Sequence, residues 1–160
     1  MSMSTPTTSR PSAIPWPPVL FVATLALGWL AGRLYPLPWP GYNDPPARVI
    51  GYGLGVAGIA LMVWGLITLS RAGTTVLPNK GADQLVTDGP FRFRRHPIYM
   101  ADALILLGLA QVTLNIWLAI LAPVFAVGVF KLAIEPEERH LEERFGQAYL
   151  DYKERTRAWF

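Results

Sequence analysis

The side chains of this chain that can do chemistry are concentrated in two short stretches. The first reads Leu85-Val-Thr-Asp-Gly-Pro-Phe-Arg-Phe-Arg-Arg-His-Pro-Ile-Tyr99, and the second Glu135-Pro-Glu-Glu-Arg-His-Leu-Glu-Glu-Arg-Phe-Gly-Gln-Ala-Tyr-Leu-Asp-Tyr152. The turn signal Asp88-Gly89-Pro90 leads into a basic, aromatic strip whose Pro97 suits the first turn of a helix. His96 then falls at or next to the N-cap, where free helix amides favour an anionic ligand group. In the second stretch Pro136 is expected to open a new helix, with Glu137 and Glu138 in its first turn and Gly146 ending it. Glu138 and Glu142 share a face of that helix, as do Leu141 and Phe145. A further helix after Gly146 is expected to carry Tyr149, Tyr152, Arg155 and Trp159 along the membrane surface.

These stretches meet only if the elements between them bring the chain back, and those elements are apolar. The 160 residues are 52% hydrophobic and only 16% charged, against about 25% charged in ordinary soluble domains. That composition argues for one all-α integral membrane unit and excludes both disorder and a two-domain soluble enzyme. A first apolar run covers Val19 to Tyr35, with Arg33 able to snorkel; a retained helix is favoured over a signal peptide. The prolines at 36, 38, 40, 45 and 46, with Gly41, read as a loop. Val49 to Leu69 is 21 uncharged residues, enough to cross a hydrocarbon core about 30 Å thick. Ala103 to Phe130 is 28 uncharged residues, or about 42 Å as one helix. It is therefore divided at Thr113 and Asn115 into a hairpin, Ile98 to about Val112 and Ile116 to Ile134, with both arms short enough to imply tilt or a thinned bilayer.

About four transmembrane helices follow, the last two a tight hairpin, with interfacial helices behind them. The organisation reads as a flexible segment at 1–18, two spans with a proline-rich loop at 19–69, and a functional core at 70–160. In that core a basic loop precedes the hairpin 98–134, and C-terminal helices occupy 136–160. Twelve of the 14 Lys and Arg residues then lie on one side and only Arg33 and Arg48 on the other. This places both termini and both chemical stretches in the cytoplasm, at a membrane of the bacterial inner (plasma) type. A net charge of +3 is too slight to point to nucleic acid, and membrane lipids are the expected surroundings. Oligomeric state is not encoded in any feature of the chain.

Several patterns carry no chemistry in this context. Gly53-x-Gly55-x-x-Gly58 matches a dinucleotide-binding pattern, but it lies inside an uncharged span without the preceding strand or the later acidic residue. Gly51, Gly55 and Gly58 instead lie near one helical face, as small residues do where helices pack closely. Glu137-x-x-His140 is one half of a bundle di-iron site that needs two such pairs. The chain has two histidines and no cysteine, so no metal, disulfide or thiolate nucleophile is expected. The arginines could serve simply as a topology anchor, the tyrosines and Trp159 as interface aromatics, and the glutamates as a solvated face balancing Arg139 and Arg144. Those uses leave unexplained why Arg, His, Tyr and Glu should be gathered at one membrane surface by a tight hairpin.

The run Gly89-Pro90-Phe91-Arg92-x-x-Arg95-His96-Pro97-x-Tyr99, a hydrophobic hairpin, then Glu137-Glu138-x-x-Leu141-x-x-x-Phe145-Gly146-x-x-Tyr149-x-x-Tyr152 resembles the isoprenylcysteine carboxyl methyltransferase family. That family is similar in turn to the membrane phospholipid N-methyltransferases, and the resemblance covers about Leu85 to Phe160. It implies an integral-membrane enzyme that binds S-adenosylmethionine in a pocket made by the last spans and the C-terminal helices, acting on a lipophilic small-molecule or lipidated acceptor. Carried over by position, Arg95, His96, Pro97, Tyr99, Met100, Glu137 and Glu138 would form the cofactor site, with Arg95 and Glu138 taking part in catalysis. Ala101 stands where family members usually have Gly. Asp102 departs from the pattern; an ionisable residue inside a span is a catalytic candidate, and it could equally pair with a neighbouring Arg or His. The alternatives are a phospholipid N-methyltransferase, and a non-catalytic scaffold or lipid-binding protein with the same fold.

Overall fold

The computed structural model describes residues 14–40, 43–74 and 84–159. The segment expected to be flexible falls outside these up to residue 13, as do Gly41 and Lys80. The fold is all-helical: α1 Trp16–Leu34, α2 Pro45–Arg71, α3 Pro97–Thr113, α4 Ile116–Val129, α5 Glu135–Phe145 and α6 Gln147–Arg155. A 3-10 turn at Gly89–Arg92 precedes α3, and a π turn at Phe130–Ile134 joins α4 to α5. The stretches Trp16–Leu34, Pro45–Arg71 and Ile116–Phe145 are long and apolar enough to cross a membrane, and α3 is a shorter apolar helix beside them. The protein is an integral membrane protein of three to four long apolar helices.

Prolines open three of the six helices. Pro17 and Pro18, read from sequence as part of a flexible lead-in, sit in the first turn of α1, and Pro45 and Pro46, read as loop, begin α2. A proline there loses no hydrogen bond, because the first helical amides have no intrahelical acceptor, and its fixed φ suits the helix. Pro97 likewise opens α3, as its place in the sequence suggests. Pro136 is different. The residue before α5, Ile134, is itself helical, and α4, the π turn and α5 run on as one 30-residue helix. Pro136 therefore opens no separate helix. The π turn shifts the bonding from i→i−4 to i→i−5, relieving the clash of the proline ring with the preceding turn. Thirty residues span about 45 Å, more than the hydrocarbon core, so α5 projects beyond the membrane.

The hairpin stands between the first two helices, with α2 packed along α3 and α1 along α4. The α2–α3 contact is set by glycine: an added Cβ on Gly58 would lie 3.0 Å from the Ala101 carbonyl oxygen, and one on Gly55 3.0 Å from the Gly108 Cα. The dinucleotide-like pattern is thus a packing face. At the far end of the hairpin, Leu114 adopts a left-handed conformation (φ 53°) and Asn115 caps α4, its Oδ1 accepting from the Trp117 N–H at 3.0 Å. The Asn115 amide also donates to the Gly28 carbonyl (2.9 Å), and the Trp117 indole to that of Tyr35 (2.8 Å), which pins α1 to the turn. At the other end the core of Leu106, Phe125, Val129 and Ile134 meets Tyr99 and Trp159, directly beneath the polar strip.

Candidate functional site

His96 is the N-cap of α3, and it and Arg95 both meet Glu138 near the start of α5. The N-terminal amides of α3, the strip before it and the start of α5 thus share one end of the helix bundle. Glu138 is the centre of the cluster. Its Oε1 accepts from Arg95 Nε at 2.8 Å and lies 3.2 Å from His96 Nε2, while its Oε2 is 3.4 Å from Lys153 Nζ. Lys153 also bonds Glu142, so the shared face of Glu138 and Glu142 is clamped by one cation from α6. Glu137 points to the other side, where it accepts from the Tyr99 hydroxyl at 2.9 Å, with His96 Nδ1 at 3.8 Å. The His96 and Tyr99 rings stack, with centroids 5.6 Å apart and planes 6° from parallel.

The side chains of Arg95 and Glu138 are only 9% and 13% exposed. Burial pushes the Glu138 carboxyl up, but hydrogen bonds from His96 and Arg95, together with their positive charges, outweigh it and hold the carboxyl at about 2 against its ordinary 4.5. A carboxyl depressed on folding stabilises the fold above its unfolded pKa, and that contribution is lost as pH falls through the folded value. Thermal unfolding in detergent should therefore show stability declining between about pH 4.5 and 2, by about 3 kcal/mol in all. The decline should be largely absent in Glu138→Gln.

A C-terminal strap closes the cluster. The helix expected to extend to Trp159 ends at Arg155, and residues 156–159 cross the basic strip, where Arg157 pairs with Arg94 in an isolated parallel bridge. The Arg95 backbone N–H donates to the Arg157 carbonyl at 3.0 Å, the Arg95 guanidinium to the carbonyls of Lys153 and Thr156, and Arg94 Nε to the Trp159 carbonyl at 2.6 Å. The Tyr152 hydroxyl donates to the Phe91 carbonyl at 2.6 Å. Tyr99, Tyr149, Tyr152 and Trp159 are all buried. They are not membrane-interface aromatics, and Arg94 and Arg95 are not simply a topology anchor.

Of the residues singled out in the sequence, the structure brings together Arg95, His96, Tyr99, Glu137 and Glu138. Pro97 is buried at the start of α3, next to His96. Met100 is half-buried one turn beyond His96, whose carbonyl accepts from its N–H. Asp102 lies one turn deeper than Tyr99 on nearly the same face of α3, half-buried. Among the described residues no hydrogen bond or ion pair joins it to an Arg or His. The strap escaped the sequence reading because its bonds use backbone carbonyls, which any residue type supplies. Lys153 and Tyr149 carried a signal in their i, i+4 spacing on α6, which puts them on one face.

The arrangement pairs cations with carboxylates at a helix N-terminus, and suits a ligand bearing both signs of charge next to an aromatic ring. Residues 46–148 match the family model for phospholipid methyltransferase. The chain is 32% identical over 108 residues to the cobalt-zinc-cadmium resistance protein CzcN of Cupriavidus metallidurans, covering 67% of this chain and 47% of that protein. It is 35% identical over 85 residues to the nickel-cobalt-cadmium resistance protein NccN of Alcaligenes xylosoxydans xylosoxydans, covering 52% of this chain and 39% of that one. The matched part is thus less than half the length of these curated relatives. No solved structure matches significantly. The family model takes in α2, the hairpin, the Arg95–Glu138 cluster and the start of α6, and on that match the chain belongs to the phospholipid methyltransferase family.

Proposed function

We propose that this protein is an integral-membrane methyltransferase that uses S-adenosylmethionine and acts on a lipophilic acceptor reaching the site from the bilayer. The observation that carries the reading is Glu138 held between Arg95 and His96 at the N-terminus of α3, beside the Tyr99–Glu137 pair. The donor set fits the cofactor's amino-acid tail and sulfonium. Arg95, His96 and the first amides of α3 suit a carboxylate, Glu138 an ammonium, and Tyr99 the electron-poor sulfonium or the adenine ring. Pro97 and Met100 supply apolar wall. The cofactor supplies a methyl group already activated on sulfur. What the chain has to do is orient the two reactants in line and keep water out, and the strap with buried Trp159 serves that exclusion.

A carboxylate acceptor, as in the isoprenylcysteine carboxyl methyltransferases, needs no base. An amine acceptor, as in the phospholipid N-methyltransferases, must lose a proton, and in this reading Asp102 or Glu137 accepts it. In this reading both termini and the site face the cytoplasm of a bacterial-type inner membrane. A second reading is a non-catalytic family member that binds a lipid or partner; the two relatives are named for metal resistance.

Calorimetric titration of the detergent-purified protein with S-adenosylhomocysteine should give saturable binding, and its absence from a folded sample would sink the methyltransferase reading. Incubating membranes with cofactor labelled in its methyl group, then extracting lipids and proteins separately, should place label in the lipid fraction. Label in protein would select a lipidated protein acceptor, and binding without transfer would select the second reading.

A further inference from the structure

Tyr149 is fully buried, at 0% exposure, and among the described residues its hydroxyl has no hydrogen-bond partner. This sets it apart from the hydroxyls around it: Tyr99 donates to Glu137, Tyr152 to the Phe91 carbonyl and Thr156 to the Tyr152 carbonyl. An orphaned buried donor is costly, because it has given up water and gained nothing in exchange. The ring has a structural use, meeting Tyr152 edge to face at 6.1 Å, but a phenylalanine would serve that use without the cost. The hydroxyl group is what needs explaining.

Its surroundings indicate what it serves. Tyr149 lies one turn before Lys153 on the same face of α6, and Lys153 Nζ is 3.4 Å from Glu138 Oε2, so that face of α6 is turned to the cluster described above. Burial, with the two carboxylates beside it, pushes the phenol well up, so it is a neutral O–H donor throughout the physiological range. The acceptors already present are committed. Glu138 Oε1 serves Arg95 and His96, Glu138 Oε2 faces Lys153, and Glu137 serves Tyr99. Arg95 uses Nε and Nη1, while Nη2 has no partner among the described residues. Among the described residues the buried phenol is thus an unspent donor beside a cluster whose acceptors are committed, whereas the free guanidinium edge is not sealed from water. The phenol calls for an acceptor that arrives from outside the chain.

We propose that Tyr149 is a binding residue of this site, its hydroxyl donating to the carboxylate of the S-adenosylmethionine amino-acid tail together with Arg95. This rests on the methyltransferase reading and adds to it the residue that tells an amino-acid tail from its absence.

The test is Tyr149→Phe in the full chain, purified in detergent and measured by thermal unfolding without ligand and by calorimetry with two probes. Without ligand, Y149F should melt at or above the wild-type temperature, since only an unsatisfied group is removed. Its affinity for S-adenosylhomocysteine should fall by about ten-fold. Its affinity for 5′-methylthioadenosine, which keeps the sulfur and adenosine but lacks the tail, should match the wild type. Unchanged affinity for S-adenosylhomocysteine would overturn the proposal, as would equal losses for both probes or a clear fall in the ligand-free melting temperature. Wild-type protein that binds neither probe would instead remove the methyltransferase reading itself, and the proposal with it.

Discussion

Glu138→Ala is expected to destabilise the ligand-free protein by about 3–5 kcal/mol and to abolish binding of S-adenosylhomocysteine. Among the described residues Glu138 is the one carboxylate bonded to Arg95, and it also meets His96 and Lys153. Removing it strands a guanidinium that is 9% exposed and cannot shed its proton. The carbonyls of Lys153 and Thr156 still accept from Arg95, but dipoles do not replace a counter-charge. The loss would spread to the strap, because the same arginine holds residues 153–157 through its side chain and its backbone. Glu138→Gln keeps the shape and an oxygen that accepts from Arg95 but removes the charge, so at neutral pH it should lose about the 3 kcal/mol that protonation removes, and attraction for a ligand ammonium is lost with it. Full stability in E138A would mean that Arg95 has another anionic partner. Normal affinity in E138Q would mean that Glu138 serves the fold and does not meet the ligand.

The parts of this protein that were legible in the sequence are those with a one-dimensional signal. Uncharged length marks the spans, Asn115 marks the hairpin turn, and the spacing Gly51, Gly55, Gly58 marks a packing face. The cluster was legible because its members lie in two compact runs that a hairpin must bring together. Other parts depend on energies that no local pattern carries. Pro136 looks like a helix start, and whether a chain breaks there or slips into a π turn depends on the packing of Ala133 and Ile134 in the core. Tyr149, Tyr152 and Trp159 have the spacing of interface aromatics, yet the strap turns them inward, and its hydrogen bonds use carbonyls that every residue has. Asp102 was visible as an anomaly, but the absence of an Arg or His partner among the described residues is a matter of three-dimensional placement.

Gly108→Ala is expected to be the most damaging single-methyl change in the membrane-embedded part, at about 3 kcal/mol, whereas Gly53→Ala should be neutral or slightly stabilising. Both add one methyl group to a helical glycine, and by intrinsic propensity both should help, since alanine is favoured over glycine in a helix interior by about 1 kcal/mol. Their surroundings separate them. A Cβ on Gly53 meets nothing within 4 Å, but one on Gly108 would run into the Gly55 Cα and lie 2.9 Å from its nitrogen. The obstacle is backbone, so no rotamer change relieves it, and α2 has to move away from α3. Because lipid tails are as apolar as the side chains, burial gives little net drive to hold two helices together in a bilayer, and nothing replaces the close packing once the helices separate. The displacement also reaches the site. The end of α2 abuts the turn before the basic strip, where a Cβ on Gly89 would lie 2.5 Å from the Thr68 hydroxyl oxygen and the Trp64 and Phe93 rings are 6.5 Å apart. G108A should therefore weaken S-adenosylhomocysteine binding as well as lower the melting temperature in detergent, and G53A should do neither. Equal shifts in the two variants would mean that these glycines act through helix propensity alone, and that the approach of α2 to α3 does not position the strip that carries Arg95 and His96.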